Sequence, residues 1–439
     1  MCEAQLQEEL QEMMKTKDSR LKLIRNLSRD TEENWQNVVL EKEWVVEGMF
    51  SQIENQSDHV YAVLFNLEFV EFMVYVKGIL PDQIIFVADN DSELGYAKGI
   101  YGVKKCIKVV NKTVSSVYNS LREKMPKTDK LIIVGNPPYQ SMDTNGTSSV
   151  PIYQLFVEEA LKLNPKYLSL IIPSRWFAGG RGLEDFRKKM MNDKHIRSIT
   201  HFSDAKQIFP DVAISGGVNY FLWDRDYQGE CVFNGETRSL GKHDIVITCN
   251  QALSVIEKIL AFKIRFMNNV VFSTGYFGIR EHTAILCQQD DPRACLCFFH
   301  GKRTNYISNW RDNKAVVDKW KVAISNTGNY SSQIDENSKP AKGMTNVFIL
   351  KPKEICTDTY IIANVFDTED QAKNFQSYLK TKFVRFLVGI RNISIHTSKK
   401  EFCFVPDPGS CDKIWTDEAL YKMFKLTEEE IAFIESKIK

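Results

Sequence analysis

HVYAVLFNLEFVEFMVYVKGILPDQIIFVADND, residues 59–91, decides the fold. HVYAVLF (59–65) is an apolar run of strand length. NLEFVEFMVYVKG (66–78) starts as a helix that Gly78 closes. IIFVADND (84–91) is a second strand, ending in acids and an amide. Strand, helix, strand at this spacing is the unit of a parallel sheet, because parallel neighbours need a crossover between them.

The alternation continues downstream. SELGYAKGIYG carries a helix, CIKVV (106–110) a strand and VSSVYNSLREKM a helix leading to LIIVGNPPYQ (131–140). YQLFVEEALKL (153–163) is a helix with Leu155, Phe156, Ala160 and Leu161 at apolar positions. YLSLIIPSRWF is a strand, LEDFRKKMMND a helix, and SITHF and GVNYFLWD are two later strands. The reading is an α/β fold with a mostly parallel, Rossmann-like sheet. Ligands of such sheets bind where loops leave the carboxyl ends of the strands, and ADND, NPPY and PSRW all fall there.

Upstream, residues 1–55 read as a helical region. Leu6, Leu10 and Met13 or Met14 keep a helical period, and Trp44, Val45, Met49 and Phe50 form a second apolar face. Residues 56–228 hold the α/β domain. After about residue 229 the alternation gives way to short strands and polar loops such as NTGNYSSQIDENSKPAKG (326–343), then one helix, EDQAKNFQSYLKTKFVRFLVG. Residues 229–439 read as a second, mixed α+β domain.

The 439 residues exceed one ordinary core, and 43% hydrophobic with 26% charged residues is the balance of a globular protein. A formal charge of +1 excludes a strongly basic histone-like binder, but not a nucleic-acid enzyme with one basic face. No apolar run reaches the ~18–20 residues of a membrane span. MCEAQLQEELQEMMKTKDSR is charged and helix-prone, unlike a secretory leader, so a cytoplasmic location is expected. The ten cysteines include no CxxC pair. A metal reading would join Cys295 and Cys297 to His300; buried thiols in a reducing compartment are the preferred reading, and no metal is expected.

Asn136-Pro137-Pro138 is a stiff piece of backbone, and a lone NPP is usually a turn. At a strand end it can do more. Two prolines remove two N–H donors and leave carbonyls beside the Asn amide oxygen. Rigid acceptors of this kind grip an exocyclic amino group through both its hydrogens, and Tyr139 can stack on the heterocycle that carries it.

NPPY after a strand resembles the fourth motif of the DNA amino-methyltransferases, which methylate N6 of adenine from S-adenosylmethionine. The order of motifs resembles the gamma class of restriction–modification type. The resemblance implies that Asn136 and the Pro137 carbonyl hold the amino group of a flipped adenine, that Tyr139 stacks on it and that Pro138 keeps the loop rigid. The later segments IYQLFVEEAL, LSLIIPSRWFAGG, LEDFRKKMMND and HFSDAKQIFPDVAISGGVNYFLWD look like the later motifs of that class, and VVLEKEWVVEGMFSQI (38–53) sits where its first cofactor motif lies. The family's cofactor loop, an acid, a proline and two glycines, corresponds to VLFNLEFVEFM (63–73). Phe65 stands at the acid position, and Phe69 and Glu71 at the glycines. Phe65, Asp89 and Asn90 are the expected cofactor neighbours, with Asp89 on the ribose hydroxyls or, alternatively, capping the next helix.

KTKFVRFLVGIRNISIHTSKKEFCFVPD mixes Lys380, Lys382, Arg385, Arg391, His396, Lys399 and Lys400 with small polar residues. Such a mix can contact phosphates and base edges, or be a solvated loop. Arg391, His396, Lys399 and Lys400 are carried forward as DNA contacts. Arg175 and Trp176 are candidates beside the base pocket, or a capping and core pair. The resemblance makes 229–439 a target-recognition domain and double-stranded DNA the substrate, with a partner subunit or cognate restriction endonuclease as further partners. The rival reading is a DNA-binding subunit or inhibitor that kept the fold and lost the cofactor.

Overall fold

The computed structural model describes residues 16–17, 20–21, 40, 42–54, 58–110, 113–126, 128, 130–142, 149–180, 182–212, 214–328, 330, 334, 338–344, 346–392 and 396–439. The chain forms two compact units, Met1–Val246 and Ile247–Lys439. The expected helix around Leu6, Leu10 and Met13 lies outside the described residues.

The first unit begins with α1 (Glu43–Phe50), β1 (Val60–Leu64), α2 (Glu68–Tyr75), β2 (Ile84–Ala88), α3 (Asp91–Gly99), β3 (Lys105–Lys108), α4 (Val114–Lys124) and β4 (Leu131–Gly135). A small hairpin follows, β5 (Gln140–Met142) with β6 (Ser149–Pro151). Then come α5 (Tyr153–Lys162), β7 (Tyr167–Pro173), α6 (Glu184–Asn192), β8 (Ile196–Phe202), β9 (Val218–Asp224), β10 (Cys231–Phe233) and β11 (Glu236–Arg238).

Nine of these strands form one sheet in the order β11-β10-β8-β9-β7-β4-β1-β2-β3. From β3 to β7 all neighbours are parallel. β9 enters antiparallel between β7 and β8. β2, β4 and β7 are buried along their whole length, as strands covered on both faces must be. The chain builds outward from β1 to β3, then returns to the other side of β1 as β4. The carboxyl ends of β1 and β4 therefore flank the crevice where the direction of winding reverses.

The boundary expected at 228/229 falls inside this unit, because β10 pairs with β8 and β11 with β10. Residues 43–50 belong to it as well: Val45, Val46, Met49 and Phe50 are buried, and the Phe50 ring lies 5.5 Å from Phe72.

The second unit is mixed α+β. It starts with α7 (Asn250–Ala261) and contains β12 (Cys295–Phe298), β13 (Thr304–Ile307), β14 (Trp320–Ser325), β15 (Phe348–Leu350), β16 (Glu354–Cys356) and β17 (Tyr360–Phe366). These make two three-stranded sheets, β13-β12-β16 and β15-β14-β17. Four helices follow: α8 (Glu369–Lys380), α9 (Lys382–Arg391), α10 (Asp417–Met423) and α11 (Glu428–Lys437). The single helix expected over 369–389 is two. Thr381 adopts an extended conformation, donates its hydroxyl to the Tyr378 carbonyl at 2.7 Å and caps α9 through Val384 N–H.

Lys321 on β14 is fully buried. Its Nζ donates to the carbonyls of Lys319 (2.6 Å), Val317 (3.0 Å) and Lys351 (3.0 Å). Burial pushes this ammonium down to about 8, while the three carbonyls take its three hydrogens. Cys295 and Cys297 are buried along β12, and His300 is exposed in the turn after it.

Candidate functional site

β1 and β4 run in register, with Leu64 opposite Gly135. A Cβ at Gly135 would stand 2.2 Å from the Leu64 carbonyl oxygen, so only glycine lets the two strand ends approach. The approach brings Asn136 N–H within 3.0 Å of that oxygen. Asn136, Pro137, Pro138 and Tyr139 are all buried. The Tyr139 carbonyl accepts from Ile152 N–H at 3.1 Å, which ties the segment to the far side of the β5–β6 hairpin.

The Tyr139 ring meets Phe209 edge to face, centroids 6.1 Å apart. Its hydroxyl is buried with no hydrogen-bond partner among the described residues, and burial raises its pKa well above that of an ordinary phenol. Phe209 is buried behind a 3-10 turn, Ala205–Gln207, that Asp204 caps. Reading the sequence did not single out Phe209. In DAKQIFPDV it carries only the signal of one more core aromatic, 70 positions from its partner.

At the end of β1 the backbone turns left-handed at two consecutive residues, Phe65 (φ 58°) and Asn66 (φ 66°). Such a conformation costs roughly 1 kcal/mol or more in a bulky residue and persists where the surroundings impose it. Phe65 is corrected as a cofactor neighbour. Its ring is buried and meets Phe156 at 5.8 Å, so the side chain belongs to the core. Phe69 is fully buried. Glu71 is 3% exposed, salt-bridged to Arg20 at 2.9 Å and accepting from the Tyr101 hydroxyl at 2.7 Å. Its charge is thus met within the protein and does not face the crevice as a bare repulsive group.

S-adenosylmethionine needs contacts at its ribose and at its amino-acid end. The glycine cradle for the latter is absent: α2 starts at Glu68, only three residues after Phe65. What the loop offers instead is Asn66. Its Oδ1 accepts from Glu68 N–H at 3.0 Å, while its Nδ2 is buried with no acceptor among the described residues. Asp89 is half-buried at the end of β2. The helix cap is Asn90 rather than Asp89: Asn90 accepts from Glu93 N–H at 2.7 Å and donates to the Glu93 carboxylate at 3.1 Å. Asn90 is therefore corrected from cofactor contact to cap. By donor set, Asn66 and Asp89 fit the two ends of the group.

After β7, Ser174–Phe177 forms a 3-10 turn. Arg175 is half-buried there, but Trp176 is fully buried, its ring 4.6 Å from Phe177 and 5.7 Å from Phe186. The Trp176 ring thus packs among core aromatics, as the core alternative has it. The turn is pinned from below. Ser174 Oγ lies 2.9 Å from His201 Nδ1 and accepts from Asn219 Nδ2 at 3.0 Å. His201 Nδ1 also faces the Val218 carbonyl at 3.2 Å, which requires the proton on Nδ1. Full burial pushes His201 down to about 3, so the ring is neutral.

In the second unit, His396, Lys399 and Lys400 are exposed. Ser398 caps the turn that carries both lysines. Arg391 is half-buried and donates to Cys403 Sγ at 3.1 Å. Lys382 pairs with Glu435, and Arg385 donates to the carbonyls of Lys342 and Lys439, so these two are engaged within the fold. Among the described residues no helix is long and apolar enough to cross a membrane.

Residues 111–209, from before α4 through Phe209, match the family described as Eco57I restriction-modification methylase. A stretch of 115 residues is 38% identical to an uncharacterized adenine-specific methylase of Mycoplasma pneumoniae; it covers 25% of this chain and 27% of that protein. Among solved structures, the chain is similar to the type I restriction-modification methyltransferase subunit from Streptococcus thermophilus. There the identity is 13%, the TM-score 0.35, and the coverage 48% of this chain and 49% of that one. It is also similar to the Type IIL restriction-modification enzyme MmeI in complex with DNA, at 10% identity, a TM-score of 0.42, and 96% and 74% of the two chains. The structural likenesses are too distant to bear on function. The family match spans Asn136, Tyr139 and Phe209 together.

Proposed function

We propose that the chain is a site-specific DNA methyltransferase that moves a methyl group from S-adenosylmethionine to N6 of a flipped-out adenine. The observation that carries this reading is the buried Asn136–Tyr139 segment, held against β1 at the point where the winding of the sheet reverses. Bound S-adenosylmethionine would supply an electrophilic methyl group on a sulfonium. The protein's part is orientation. Asn136 Oδ1 and the Pro137 carbonyl each accept one N6 hydrogen, which aims the nitrogen lone pair away from them and towards the methyl. As positive charge grows on N6, the same two oxygens stabilise it in a site closed to water. Tyr139 and Phe209 form apolar walls, and the base enters by parting their contact. Asp89 holds the ribose hydroxyls of the donor.

His396, Lys399 and Lys400, with Arg175 nearer the base, are assigned to DNA. The exposed lysines position the duplex through its phosphates without reading sequence. We assign the protein to the cytoplasm, where it would act alone or with a partner subunit or a cognate restriction endonuclease. The test is transfer of a labelled methyl group to adenine-containing duplex DNA. Asn136→Ala should abolish transfer while leaving DNA binding intact; unchanged turnover refutes the assigned role. DNA binding without any cofactor binding would instead support the rival reading, a subunit or inhibitor that kept the fold and lost the cofactor.

A further inference from the structure

We propose that the first unit holds a second binding site, for a neutral polyol of pentose size, on the β7–β10 part of its sheet. Four strands supply the floor. Val232 on β10 pairs with Ser198 on β8, and Ser198 with Leu222 on β9; two residues along β8, Thr200 pairs with Tyr220. Alternate residues of a strand share a face, so Ser198 and Thr200 point the same way, as do Tyr220 and Leu222. Ser169 on β7 completes the floor. Gly48 and Met49 of α1, with Ser51 and Gln52 after it, form the wall of a cavity of about 160 Å³. No residue of the crevice between β1 and β4 lines it.

Two residues break local rules to make this cavity. Ser169 interrupts LSLII in a strand buried along its whole length, and is itself 0% exposed. Its Oγ has no hydrogen-bond partner among the described residues. A buried hydroxyl left unmatched destabilises a fold, and alanine would suit the strand better. Gly48 lies inside α1, where glycine weakens a helix relative to alanine. A Cβ there would stand 2.4 Å from the Tyr220 hydroxyl oxygen and 3.1 Å from Cζ, so the glycine lets that phenol lie against the helix. Both deviations meet at one cavity, and functional sites are where such deviations gather.

The lining sets the ligand's chemistry. Among the described residues no charged side chain lines the cavity, so an anion would meet no cation there and an ammonium no carboxylate. Ser169, Ser198, Thr200 and Tyr220 present hydroxyls, each able to donate and to accept. Ser198 Oγ donates to Gln52 Oε1 at 3.4 Å, which ties the floor to the wall. Ligand hydroxyls have the same double capacity. An apolar cavity of about 150 Å³ takes a benzene ring. This one has that size and a mainly polar lining, so it suits a ring that carries hydroxyls.

The experiment is saturation-transfer difference NMR on the full chain with two probes. D-Ribose carries the hydroxyls, and tetrahydropyran is the same ring without them. Ribose should give a signal that saturates, and tetrahydropyran a weaker one. Ser169→Ala should weaken ribose about fivefold, the loss of one hydrogen bond, while the thermal midpoint holds or rises because an unmatched hydroxyl is gone. Ser198→Leu fills the cavity and should abolish the ribose signal; if that variant does not fold, Ser169→Ala still decides. The absence of a saturable ribose signal overturns the proposal. So does tetrahydropyran binding as tightly as ribose. Ribose binding that Ser169→Ala leaves unchanged also overturns it, since the sugar would then sit elsewhere.

Discussion

Tyr139 joins two demands that a single residue rarely meets. Its ring is the proposed wall of the site, yet its hydroxyl is buried with no hydrogen-bond partner among the described residues. The ring explains an aromatic at this position, and the hydroxyl is a cost of about 1–3 kcal/mol in the unliganded fold. Tyr139→Phe should therefore keep methyl transfer and raise the unfolding midpoint, whereas Tyr139→Ala should lose transfer through loss of the stacking face. A Tyr139→Phe variant that folds but is inactive would show that the phenol itself takes part. Asn136 and Gly135 are coupled in a different way. The glycine is chosen by the Leu64 carbonyl at 2.2 Å from its absent Cβ, and the asparagine by the bond that this close approach permits.

The turn after β7 owes its place to three strands, because Ser174, His201 and Asn219 come from the ends of β7, β8 and β9. His201 is neutral in the fold at about 3 but takes a proton near 6.5 once unfolded. With the folded value depressed, the unfolded chain binds the extra proton. The stability this group contributes is complete above pH 6.5 and is lost as pH falls towards 3. The slope is roughly 1.4 kcal/mol per pH unit for one proton. Denaturant titrations at stepped pH should show this slope in the wild type and a shallower one in His201→Gln; equal slopes would remove His201 as the cause. None of this network was readable in PSRW, HF or GVNY, since each polar residue stands alone in its own strand. The strands themselves were legible, because β1, β2, β4 and β7 are near-continuous apolar runs, the pattern that burial on both faces demands. The break at Thr381 was hidden for the opposite reason. The apolar period runs through it, and only the threonine hydroxyl, bonding to both helices, marks the join. At the cofactor loop, comparison with a glycine pattern located what was missing, while the left-handed turn at Phe65 and Asn66 is something no spacing encodes.

For the whole molecule, the division at 246/247 separates two kinds of chemistry. The first unit carries every group assigned to the base and the donor; the second carries His396, Lys399 and Lys400. Its boundary lies further along the chain than composition suggested, because β10 and β11 are too short to look like part of a sheet until their pairing partner β8 is seen. Lys321 gives the second unit a property of its own. Reagents that acylate lysine amines need an accessible amine, and this one is enclosed by three carbonyls at full burial. In mass-spectrometric labelling, exposed Lys399 and Lys400 should react at once. Lys321 should react only as fast as β14 opens, and prompt labelling would contradict the enclosure. The protein thus carries a built-in clock for local unfolding, read at one amine without any added probe.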